Sequence, residues 1–108
     1  MMISLEDQTT SVAVALGERV TVRVEESAAQ GLLWGSPRIT GSGLQLVRST
    51  SLGEDRNQVG YREFVFSTHK AGRNLVTVVL KQVGMEVGIK TLCVVVDVLG
   101  RHRRETIH

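Results

Sequence analysis

The feature that most constrains this chain is an alternation of valine with polar residues. Val20, Val22 and Val24 interleave with Thr21, Arg23 and Glu25. A period of two sends successive side chains to opposite faces of an extended strand, one dry and one wet. The period recurs along the chain. Val12, Val14 and Leu16 alternate with smaller residues, Phe64 and Phe66 share one face of Tyr61–Thr68, and Leu92, Val94, Val96 and Val98 share one face of Thr91–Leu99. Leu32–Trp34 and Leu44–Val47 read as shorter strands. Leu75–Leu80 is a nearly continuous apolar run, as expected of a central strand covered on both sides. No apolar stripe of helical period appears. These segments predict an all-β fold, an immunoglobulin-like antiparallel β-sandwich of about seven strands. The sandwich is expected to fill residues 1–100, with a polar basic tail at 101–108.

Strand count then predicts geometry. In an antiparallel sandwich, successive connections alternate between the two ends. The turns at Gly17 and Gly72 fall at one end with the connection from Gly35 to Gly43. The polar segment Ser49–Gly60 reads as a loop. The loops Glu26–Leu32, Arg56–Tyr61 and Lys81–Gly88 gather at the other end. Loops clustered on a rigid sandwich make a binding edge.

Composition narrows what that edge binds. The 108 residues are 42% hydrophobic but only 4% aromatic, so valine and leucine must build the core. The net charge of +2 is too small to call for nucleic acid or a membrane surface. The single cysteine, Cys93, allows no internal disulfide. No apolar stretch approaches the ~20 residues of a membrane span. Met1–Asp7 carries no leader pattern, which implies a cytoplasmic protein if the chain is complete and a secreted or periplasmic one if a leader was removed.

Catalytic constellations are missing. Cys93 lies between Leu92 and Val94 and reads as a buried, inert thiol. His69 sits at a turn, while His102 and His108 lie in the tail, without metal-ligand spacing. Gly41-Ser42-Gly43 is a flexible turn. Glu25, Glu26, Glu54 and Asp55 read as solvated charges, as do Arg101, Arg103 and Arg104. The expectation is a binding protein and not an enzyme, with no cofactor and no metal.

Several framework residues then fall into a familiar order. Ser11–Glu18 reads as a long strand closed by a Gly-Glu turn. Gly31 is followed by Trp34, Gly60 by Phe64, and Ala71-Gly72 leads into Leu75–Leu80. In this order the chain, from about Ser11 to Leu99, resembles the chagasin-type inhibitors of papain-like cysteine proteases. The resemblance implies an immunoglobulin-like sandwich whose three adjacent loops wedge into a protease cleft. It assigns the protease-binding loops to Ser27, Ala28, Ala29, Gln30, Gly31 and Leu32, then Val59, Gly60 and Tyr61, then Gln82, Val83, Gly84 and Met85.

The loop motifs differ from the family's. Where the family has Asn-Pro-Thr-Thr-Gly, this chain has Ser27-Ala28-Ala29-Gln30-Gly31. The family's Gly-x-Gly-Gly is replaced by Asn57-Gln58-Val59-Gly60. Its Arg-Pro-Trp gives way to Gln82-Val83-Gly84-Met85. The retained glycines, Gly31 and Gly60, are expected where the backbone needs unusual angles. Tryptophan and arginine are the commonest interface anchors, so the contact chemistry is replaced while the framework is kept. Trp34 is expected in the core. Tyr61 reads either as an exposed aromatic anchor or as part of the framework. The implied partner is a papain-like cysteine protease, met by a monomer. The alternative is a non-inhibitory immunoglobulin-like binding or assembly module, pairing through strands such as the apolar run Leu92–Val96.

Overall fold

The computed structural model describes residues 2–5, 10–26, 31–54, 60–85 and 88–100. The expected tail at 101–108 lies outside them. Nine strands are present among the described residues, and no helix: β1 (Met2–Leu5), β2 (Thr10–Ala15), β3 (Val20–Glu26), β4 (Leu32–Trp34), β5 (Arg38–Thr40), β6 (Leu44–Glu54), β7 (Gly60–Thr68), β8 (Gly72–Gln82) and β9 (Gly88–Leu99). They form two sheets. The first runs β1-β3-β7-β6, and the second runs β2-β9-β8-β4, with β5 also paired to β8.

The seven expected strands are all found, and two more accompany them. Strand β5 lies inside the stretch read as one long turn. Strands β4 and β5 are two halves of one edge strand along β8, since Trp34 faces Leu80 and Arg38 faces Thr77. Pro37 has no N–H for the ladder, so the strand breaks there. Strand β6 reaches Glu54, well into the segment read as a loop from Ser49. Its polar residues suit an edge strand with a wet face, and they pair with β7 through two bulges.

The sheets are also mixed and not purely antiparallel. β1 pairs parallel to β3, and β2 pairs parallel to β9. Alternation reports which face a residue takes, not which way its strand runs. The N-terminal segment supplies an edge to each sheet, burying Ile3 against one and Val14 against the other.

The inner faces follow the period of two. Val20, Val22 and Val24 of β3 face Phe64 and Phe66 of β7, and Val76, Val78, Leu92, Val94, Val96 and Val98 line the second sheet. Each such side chain contributes about 1.5–3 kcal/mol by leaving water. Trp34 belongs to this core, as expected. The outer face of β8 is less covered than its apolar run suggested, because Leu75 and Val79 are only half-buried. Cys93 points to that same outer face, beside the Thr77 hydroxyl at 3.8 Å, so it is half-exposed and not the buried thiol expected. Its odd number within Leu92–Val98 sets it opposite the core valines.

Candidate functional site

Register places the connections as the strand count predicted. Glu26 at the end of β3 pairs with Gly60 at the start of β7, which pairs in turn with Glu54 at the end of β6. In the second sheet Leu32 pairs with Gln82, and Lys81 with Gly88. All three long connections therefore leave from one end. The turns at Gly17, Gly41–Gly43 and Gly72 occupy the other. There Thr68 accepts from the Gly17 amide at 2.7 Å, and the buried Asn74 side chain accepts from the Gly43 amide at 2.9 Å.

Glu26 organises the loop end. It was expected in solvent, yet its side chain is only 2% exposed. Parity explains this: Val20, Val22 and Val24 point inward, and Glu26 is the next even position. Its Oε2 accepts from Arg62 Nε at 2.9 Å and from the Trp34 amide at 3.0 Å. A buried carboxylate needs such donors to offset lost hydration. Trp34 Nε1 adds a hydrogen bond to the Glu25 carbonyl at 2.5 Å. One carboxylate thus joins both flanks of the first connection, the start of β7 after the second, and the two sheets.

The third connection is tied to the first. The Val83 amide donates to the Gly31 carbonyl at 2.8 Å, and the Met85 amide donates to Gln82 at 3.0 Å. Gly31 and Gly84 have φ of +76° and +90°, angles that favour glycine. Gly60 does not share this property. It opens β7 in strand pairing with Glu26 and Glu54, and it is absent from the positive-φ glycines.

The assigned loop residues thus separate. Gly31, Leu32, Gly60, Tyr61, Gln82, Val83, Gly84 and Met85 come together at one end, whereas Ser27, Ala28, Ala29, Gln30 and Val59 lie outside the described residues. Val83 and Met85 are strongly exposed, and Leu32 is half-buried. Tyr61 is half-buried on the outer face, with the Arg23 guanidinium 5.7 Å from its ring centroid. Arg23 also binds Glu63 through two nitrogens, the shorter contact at 2.5 Å. One face of the Tyr61 ring is therefore already occupied. Sequence reading missed Glu26, Arg62 and Leu33. Parity carried past Val24 marks Glu26, whereas its partner Arg62 becomes visible only with the β3–β7 register.

Among the described residues, no three His, Cys, Asp or Glu side chains gather as a metal-binding group. What this end offers is contact area on a braced frame.

No protein-family model matches the chain, and no curated protein matches it by sequence. Solved structures do. A cysteine protease inhibitor from Entamoeba histolytica superposes with a TM-score of 0.71 at 10% identity, over 91% of this chain and 94% of the other. PbICP-C, solved in complex with falcipain-2, gives 0.64 at 13% identity, over 93% and 98%. The solution structure of amebosin gives 0.55 at 13%, over 87% and 99%. The chain shares its fold with these proteins. The chagasin-type resemblance read from the framework residues is thus a likeness of fold across almost the whole domain.

Proposed function

We propose that this domain is a proteinaceous inhibitor of papain-like cysteine proteases, acting by occlusion. The observation that carries this reading is the convergence of three connections at one end, braced by the Glu26 carboxylate and the Gly31–Val83 hydrogen bond. A braced frame leaves less conformational entropy to lose on binding, which is where proteinaceous inhibitors gain affinity. The fold shared with an Entamoeba histolytica cysteine protease inhibitor, and with a protein solved on falcipain-2, supports it. Occlusion uses no catalytic group and no cofactor. The first connection enters the cleft, and the second and third clamp its sides.

The test is inhibition of a panel including papain and falcipain-2 by the purified domain, with Gln30→Arg and Gly31→Trp variants alongside. Nanomolar to micromolar inhibition that these changes abolish is expected. A folded domain that leaves every protease active at high micromolar concentration sinks the reading.

The assembly alternative meets an obstacle. Within the run Leu92–Val96, residues 94–96 are paired on both sides by β2 and β8, and Leu92 and Cys93 are paired by β8, so most of its ladder is already taken. The long edge strand β6 carries bulges near Val47 and Leu52, a device that blunts edge-to-edge pairing.

A further inference from the structure

The loop end is chemically uneven. On its second-sheet side Leu33, Val83, Met85 and Ile89 are 37%, 66%, 56% and 55% exposed. Apolar side chains grouped in this way on a surface mark an interaction site. Val83 and Met85 sit on a turn already hydrogen-bonded to Gly31 and Gln82, so little ordering remains for binding to cost. Between Leu33 and this turn lies a groove of about 250 Å³, floored by Trp34 and Gly35 and flanked by Lys81. That is below the roughly 300–1,000 Å³ of small-molecule sites, and it suits an inserted side chain. The described charges on this side are Lys81 and Lys90, both exposed, with Glu86 outside the described residues. On the first-sheet side Arg23 is committed to Glu63.

We propose that this groove receives one apolar side chain of a partner protein that carries a carboxylate beside it. The apolar group enters between Leu33 and Val83, and the carboxylate meets Lys81. This rests on the inhibitor reading and deepens it: the partner is the protease, and the projecting side chain stands on the rim of its cleft, contacted from the side by the third connection while the first fills the cleft itself.

The experiment measures inhibition constants of Val83→Asp, Met85→Asp and Lys81→Glu against the panel protease that the parent domain inhibits best, at low and high salt. These positions are exposed, and folding of each variant is to be checked by circular dichroism. Val83→Ser replaces Val83→Asp should the latter not fold. Burying an aspartate in place of an apolar contact is expected to weaken inhibition about tenfold or more. Lys81→Glu is expected to weaken it about threefold at low salt, with the difference shrinking at high salt. Inhibition unchanged within about twofold by all three substitutions overturns the groove and leaves the inhibitor reading standing. No inhibition by the folded parent overturns both. Sedimentation is run in parallel, and a dimer that Val83→Asp dissolves assigns the groove to a second copy and overturns the partner proposed.

Discussion

At the scale of single residues, Glu26 matters out of proportion to its size. It is a charge buried among valines, and it persists because Arg62 and the Trp34 amide both point at one of its oxygens. Replacing it with alanine strands both donors. The cost is expected at about 3 kcal/mol, the low end for breaking a buried pair, since Arg62 remains 23% exposed and regains some water. Glu26→Gln keeps a neutral acceptor for Trp34 and is expected to cost about 1–2 kcal/mol. Urea midpoints of the three proteins measure this. A Glu26→Ala variant as stable as the parent would refute the bracing role. Asn74 does a similar job at the other end, where its side chain satisfies the Gly43 amide and bonds the Gly72 and Val96 carbonyls.

At the scale of elements, cross-strand pairs fix how β8 and β9 meet on their wet face. Arg73 and Asp97 are register partners, and their side chains bond at 2.9 Å. The Arg73 guanidinium holds the Asp97 carboxyl below its ordinary value. Glu18 is lowered in the same direction, chiefly by accepting the Ala15 amide. A carboxyl lowered in the folded state stabilises above its unfolded value, and that contribution is lost as pH falls through the folded one. Asp97→Asn is therefore expected to be slightly less stable than the parent at pH 7 and to close that gap below about pH 4. Denaturation at both pH values tests it, and a gap that widens on acidification contradicts the pairing. The pair is exposed, so the effect is small at either pH. Element boundaries also show where polarity misled the sequence reading. Ser49–Ser51 read as loop because they are polar, but an edge strand with a wet face is polar too.

At the scale of the whole molecule, two sheets share one core with no disulfide to staple it. Phe64 and Phe66 are its largest fully buried side chains. Phe66→Ala is expected to cost about 3–5 kcal/mol, transfer plus cavity. Because the core is continuous, the loss is expected to shift one cooperative transition. Fluorescence of Trp34 and far-ultraviolet circular dichroism should therefore give coincident midpoints in Phe66→Ala as in the parent. Separated midpoints would mean that the sheets unfold independently.

Much of this was legible before any coordinates. The period of two names the inward residues of β3, β7 and β9, because a strand sends alternate side chains to opposite faces whatever its partners are. Counting those strands also placed three connections at one end. The framework order, from Gly31 and Trp34 to Gly60 and Phe64, pointed to the right fold despite identities of 10–13% to the solved structures. What the chain alone did not decide were relations between strands. The parallel directions of β1 and β2, the joining of β4 and β5 along β8, and the meeting of Glu26 with Arg62 all depend on register between segments far apart in sequence. The groove beside Leu33 depends on it too, since Leu33 and Lys81 become neighbours only when β4 lies on β8. Local alternation is a property of one strand and can be read from it, whereas pairing minimises exposed apolar surface and unpaired amides over both sheets at once.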